Sequence, residues 1–377
     1  MAERTVYYAT NRRHTGNAER PTGYSGKPSD DGIENLRLGE VRFRVAEDQV
    51  ARRLSKASSL GPGDGNSLAK YFSGRLKDNG RVVPYPEKLV SSEGELLPAA
   101  NQKLGSRRLF EALRSAMTSG CDVLIYVHGY GVSWRSAVAS AAALQEMLNR
   151  KLGVGDKPVL VLLFSWPSDG KKIPWTSYRS DRKDAADSGL ALGRGILKLR
   201  DYLSGLSPRD YCGQNLHVLC HSMGNWVLRN AIDRILEYGG PRPLPRVLDS
   251  VFMCSPDVGD SVFDNLGNSP GPMLPLLELA RSVSIYHNRG DAALVVSDTT
   301  KGNENRLGSN GAAHPQSLHS RMQQVDCSQQ VHGVVEHSYY MVGRVNEDIR
   351  QTVDDQPPNS ELRNRRPGPW ENTWVLT

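Results

Sequence analysis

The chain has 377 residues, 38% hydrophobic and 23% charged, enough to bury a large core in one α/β domain with decorations or in two ordinary domains. Its net charge of +6 comes from basic residues scattered among acids, without the clustered footprint of a nucleic-acid partner. No apolar run approaches the ~18 residues of a membrane span, the five cysteines form no C-x-x-C pair, and no H-E-x-x-H, Walker or dinucleotide-binding loop occurs, so no metal, nucleotide or other cofactor is implied.

The opening residues, MAERTVYYATNRRHTG, lack the apolar core of a signal peptide, and the cysteines suit small buried thiols in a reducing compartment. A cytoplasmic location is expected. TVYYAT (Thr5–Thr10) and EVRFRV (Glu40–Val45) alternate apolar and polar residues, the pattern of edge strands at the start of a sheet, and the polar Gly/Pro-containing stretch between them reads as a loop. Residues 55–100 are irregular. A helix resumes near Ser106, where Leu109, Leu113 and Met117 share one face at a spacing of four.

From there the pattern is regular. DVLIYVHG, PVLVLLFSW, NLHVLCHS, SVFMCSPD and RSVSIYHN are short apolar runs that alternate with helix-like segments near 135–151, 181–205, 223–238 and 272–281. Runs without alternation belong to parallel strands covered on both sides, joined by right-handed crossovers. The expected fold class is α/β: a doubly wound, mostly parallel sheet with helices on both faces, N-terminal edge strands and loop insertions. The expected organisation is a single domain over 1–353, with N-terminal strands and an insertion in 1–103 and a regular core from about 104, followed by a tail over 354–377 in which Trp370 and Trp374 are expected to dock. The polar, glycine-rich stretch 298–322 reads as a lid or a solvated loop.

HVLCHSMGN, residues 217–225, carries the chemistry. The strand feeds directly into a helix, and a serine in so tight a turn needs small neighbours two residues away on either side, here Cys220 and Gly224. Alone, Ser222 equally suits a helix N-cap. A nucleophilic serine needs a histidine base and a carboxylate to orient it, in the chain order Ser, Asp, His on this type of sheet. Asp291, after the second strand beyond Ser222, is the favoured acid and Asp257, after the first, is the alternative. His337, ahead of a helix expected to open at HSYYMV, is the favoured base and His332 is the alternative. An oxyanion would meet the N–H of Met223 at the start of a helix and that of Tyr130 in the loop VHGYG, where Gly129 permits the turn. Trp166, Trp175 and Tyr178, in FSWPSDGKKIPWTSYRSD, are candidates for lining the pocket, with ordinary packing as the competing role.

Several separated motifs in order are similar to one known family. They are YYATNR, VHGYGVSW with its alanine-rich helix, LLFSWPSDG, the Tyr178 and Asp181 pair, CHSMGN, SPDVGDSVF, NRGDAAL, RLG at Arg306–Gly308, and HSYY. The chain resembles, from about residue 4 to 350, the esterase- or lipase-like α/β-hydrolases grouped as domain of unknown function nine hundred. The resemblance implies Ser222 as nucleophile, His337 as base and Asp291 as acid. It implies no common substrate, because a fold does not supply one. The expected activity is a serine carboxylesterase acting on a small-molecule ester. Amidase, thioesterase and acyltransferase reactions use the same triad, and a catalytically silent scaffold serving as a binding module is the reading from another class.

Overall fold

The computed structural model describes residues 1–58, 61–85, 105–168, 176–204, 213–239, 246–265, 270–294, 305–331 and 337–377. The strands are β1 (Ala2–Thr10), β2 (Arg12–Gly16), β3 (Pro21–Pro28), β4 (Arg37–Val45), β5 (Ala57–Ser58), β6 (Gly61–Pro62), β7 (Arg81–Tyr85), β8 (Asp122–Val127), β9 (Val159–Ser165), β10 (Leu216–His221), β11 (Leu248–Cys254), β12 (Ala280–His287), β13 (Met322–Asp326), β14 (Arg365–Pro367) and β15 (Thr373–Leu376). Among the described residues eleven of them form one sheet in the order β14-β15-β13-β12-β11-β10-β8-β9-β1-β4-β7, while β2–β3 and β5–β6 are separate antiparallel pairs. From β13 to β1 every neighbouring pair is parallel; the antiparallel pairs lie towards the two ends.

The apolar runs make this possible because successive side chains on a strand face opposite sides. On β8, Val123, Ile125 and Val127 enter one core, with α3 (Gly105–Thr118), α5 (Thr176–Ser204) and α6 (Gly224–Gly239). Leu124 and Tyr126 enter the other, with α1 (Glu47–Leu54), α2 (Gly65–Asn79), α4 (Trp134–Leu148) and the last helix, Gly343–Val353. The five expected parallel strands are present as β8 to β12. Among the described residues no helix is long and apolar enough to cross a membrane.

Four features differ from the sequence pattern. TVYYAT and EVRFRV lie inside the sheet rather than on its edge, since β1 is flanked by β9 and β4 and β4 by β1 and β7. The edge belongs to β7, within the stretch that carried no pattern, where Pro84 offers no N–H to a further strand. The helix expected at 272–281 shrinks to Leu276–Leu279 because Ala280 already pairs with Leu248 on β11. HSYYMV does not open a helix: Tyr339 and Tyr340 turn inward in a single 3₁₀ turn, their hydroxyls bonded to the Tyr286 carbonyl at 2.9 Å and the Tyr126 hydroxyl at 2.6 Å, and the helix starts at Gly343.

The stretch read as a tail supplies β14 and β15, which extend the sheet beyond β13. Arg363 and Arg365 both bind Asp348 of the last helix in a buried cluster, which fastens these strands. Trp374 donates to Gln323, while Trp370 stays half exposed. Of the glycine-rich stretch 298–322, residues 298–304 lie outside the described residues. Arg306, Leu307, Gly308 and Ser309 are buried and tied by a bridge between Gly259 and Arg306 and by a Gly308 N–H bond to Pro256 O, so this part is packed rather than solvated.

Candidate active site

The crossover from β8 to β9 runs to one side of the sheet, and the one from β9 through α5 to β10 runs back past β8 to the other. Strand order therefore reverses between β8 and β10, and in open α/β sheets the carboxyl ends of two such strands frame the crevice where ligands bind.

Ser222 stands at this point. β10 ends at His221 and α6 begins at Gly224, so the turn is short and Ser222 adopts φ +52°. A left-handed non-glycine residue costs about 1–3 kcal/mol and persists only where its surroundings hold it. Here its N–H donates to Cys254 O at 2.9 Å, and its carbonyl accepts from the N–H groups of Asn225 at 3.0 Å and Asp257 at 3.2 Å and from Asn225 Nδ2 at 3.1 Å. Two glycines let the backbones close in. A Cβ on Gly224 would lie 2.6 Å from Val127 O, and one on Gly129 would lie 2.9 Å from Ser222 Cβ and 3.0 Å from His221 Nδ1. Cys220 is fully buried, and burial pushes its thiol pKa far up, so it acts as a small packing residue.

His337 and Asp291 come together. His337 Nδ1 lies 2.7 Å from Asp291 Oδ2, with the carboxylate almost wholly buried and the imidazole 22% exposed. A carboxylate only accepts, so Nδ1 carries a proton, and in the neutral tautomer so fixed the lone pair is on Nε2. The other oxygen of Asp291 accepts from Ala293 N–H at 3.2 Å, so the residue also caps the turn that follows it. The main chain of His337 is fixed at the elbow: its carbonyl accepts from His221 Nε2 at 3.1 Å and Ser255 Oγ at 3.0 Å, and its ring lies 4.8 Å from that of His221. Among the described residues no hydrogen bond joins Ser222 Oγ to the His337 ring; such bonds commonly tighten only when substrate is present.

Asp257 has other partners. It is buried beside the elbow, accepts from the Tyr178 hydroxyl at 2.6 Å and faces Arg306 Nε at 3.7 Å. Tyr178 in turn sets its ring against Tyr130, 5.6 Å between centroids. Trp166 is fully buried and supports the loop after β8 from behind, donating to His128 O at 2.7 Å and stacking on the His128 ring, so it does not line an open pocket. Met223 is buried at the entry to α6. His332 and Trp175 lie outside the described residues. Among the described residues no group of three His, Cys, Asp or Glu side chains is placed to hold a metal.

Three residues escaped the sequence reading. Ser255, itself at φ +46° on the end of β11, holds the His337 carbonyl. Arg12 is wholly buried and bonds to Ser165 Oγ, Ser168 O, Val132 O and His128 Nε2, stitching together the loops after β8 and β9. Burial lowers its pKa to about 9, against the opposing pull of Asp181. Burial and the Arg12 charge hold His128 well below the ordinary histidine range. The only signal in the sequence was the position of these residues inside the motifs YYATNR, VHGYG and SPDVGD.

A sequence model of the alpha/beta hydrolases of unknown function (DUF900) matches residues 107–345. An uncharacterised protein of Nostoc sp. strain PCC 7120 is 24% identical over 222 residues, covering 48% of this chain and 54% of that protein, so the chain spans about half the length of this curated relative. Among solved structures, lipase B of Aspergillus fumigatus aligns at a TM-score of 0.37 and 10% identity over 84% of this chain and 81% of its own. An acylaminoacyl peptidase of Pyrococcus horikoshii aligns at 0.31 and 9% over 64% of this chain and 38% of its own. Likeness at these scores says nothing about chemistry. The family model spans well over half of the sequence, and with the sheet order above the chain belongs to the alpha/beta hydrolases of unknown function and has the α/β-hydrolase fold.

Proposed function

We propose that the chain is a serine hydrolase that cleaves carboxylic esters through an acyl-enzyme. Ser222 Oγ attacks the ester carbonyl carbon while His337 Nε2 takes its proton, and Asp291 holds the opposite ring nitrogen and stabilises the imidazolium. The oxyanion meets the N–H groups of Met223 and Tyr130, each donor of this kind being worth about 3–4 kcal/mol. His337 then protonates the departing alcohol, and a water attacks the acyl-enzyme by the same proton route.

The observation that carries this reading is the buried Asp291 paired at 2.7 Å with a partly exposed His337, whose main chain is bonded to the residue before a left-handed Ser222. Amides, thioesters and acyl acceptors other than water fit the same machinery. A fluorophosphonate probe is expected to label the wild type and not Ser222→Ala; an unlabelled wild type overturns the reading. Nitrophenyl esters of increasing acyl length, run beside amide and thioester analogues, then define the substrate.

A further inference from the structure

Four polar backbone groups of the loop after β8 are claimed by side chains from distant segments. Trp166 Nε1 donates to His128 O at 2.7 Å, Gly131 N–H to Asp181 Oδ2 at 3.2 Å, Val132 N–H to Ser168 Oγ at 3.1 Å, and Arg12 Nη2 to Val132 O at 2.8 Å. Ser168 Oγ itself donates to Asp181, and Arg12 Nη1 donates to Ser168 O at 2.9 Å. The carbonyl of Gly129 is met by the neighbouring ring, His128 Nδ1, at 2.9 Å.

The proton inventory around His128 has one consistent solution. A guanidinium can only donate, and Arg12 Nη2 lies 3.1 Å from His128 Nε2, so Nε2 must be the unprotonated nitrogen. Ser165 Oγ, 3.2 Å from the same nitrogen, accepts from Arg12 Nε at 2.9 Å and can therefore turn its own hydrogen to the ring. Nδ1 then carries the proton and donates to Gly129 O. The opposite tautomer would set donor against donor at Nε2 and lone pair against lone pair at Gly129 O.

That bond fixes a direction. The chain has no cis peptide among its described residues, and in a trans peptide the C=O and the following N–H point opposite ways. Turning the Gly129 carbonyl back onto His128 turns the Tyr130 N–H away from it, in a loop pressed against Ser222 at Gly129. We propose that Arg12, through the tautomer it imposes on His128, is a positioning residue for the oxyanion-binding peptide Gly129–Tyr130; this rests on the serine-hydrolase reading above. Arg12 never touches the substrate. It decides which way one peptide faces.

Two variants separate positioning from packing. His128→Asn keeps an N–H donor close to the place of Nδ1, whereas His128→Gln keeps polarity near Nε2 and loses that donor. The full-length His128→Gln chain is expected to lose about 10²–10³ in kcat on a nitrophenyl ester and in its rate of fluorophosphonate labelling, with KM within about threefold of wild type, the loss typical of one oxyanion donor. His128→Asn is expected to recover at least tenfold of that loss. Equal losses in the two variants, or full activity in His128→Gln, overturn the proposal. ¹⁵N spectra of the histidine-labelled wild type, with His128 assigned through its own backbone amide, supply a test that survives a variant that does not fold. The Nδ1–H tautomer is expected unchanged from about pH 8 to pH 5, and an Nε2–H tautomer sinks the proposal. Failure of the underlying reading looks different: the wild type then goes unlabelled at Ser222 whatever the tautomer of His128.

Discussion

Asp291 and Asp257 are both buried at the ends of strands that follow β10, and their partners separate them. Asp291 faces an imidazole; Asp257 faces a guanidinium and a phenol. Asp291→Asn is expected to lower ester turnover by about 10²–10⁴ with the melting temperature little changed, since the imidazolium loses its counter-charge and the ring its tautomer. Asp257→Asn is expected to act on stability instead, at about 3–5 kcal/mol, because it removes one member of a buried ion pair. If the melting curves and rates come out the other way round, the acid has been misassigned. Gly129→Ala is expected to abolish labelling of Ser222, because the added methyl group would press on the Ser222 Cβ and the His221 ring. The elbow was legible in the sequence because everything that makes it is local: a strand, a small residue, a serine, a helix start. Arg12 and Ser255 were not, because their partners lie 116 and 82 residues away in sequence and no local pattern encodes such a contact.

At the level of elements, the strands read most plainly were β8 to β12, covered on both faces and largely apolar, and β1 and β4 were read from their alternation. β7, β14 and β15 are short and carry arginine, proline or tryptophan, because a strand at or near the sheet's end has less to bury and must discourage further pairing. Charge fastens the C-terminal pair where apolar area is small. Asp348 binds Arg363 and Arg365 out of contact with water, and the Tyr286 hydroxyl donates to it at 2.6 Å. Asp348→Asn is therefore expected to cost about 3–5 kcal/mol in denaturant unfolding and to raise amide exchange first in β14 and β15.

For the whole molecule, two buried histidines set the response to acid. Burial lowers the pKa of His128 and, despite the nearby Asp326, that of His287. Each takes up its proton at a lower pH in the folded chain than in the unfolded one, where the ordinary value of about 6.5 applies. The unfolded state then binds more protons, so stability is complete above that value and falls with decreasing pH, by about 1.4 kcal/mol per pH unit for each group. The lowered carboxylates Asp326 and Asp348 act in the same direction, but only as pH falls below the usual carboxylate range. Denaturant titrations between pH 7 and 5 are expected to show this decline, and a shallower slope in His128→Asn. A flat profile would contradict the lowered pKa of both rings.

The position of β1 has a kinetic meaning. One of its edges pairs with β4, close behind it in the chain, while Tyr7 on the other edge pairs with Leu162, reached only after α4 has been made. Closing so long a loop is slow, and an early meander of β1, β4 and β7 must hold an open ladder until β9 arrives. During synthesis or refolding this half-finished sheet is the species most exposed to pairing with a second chain.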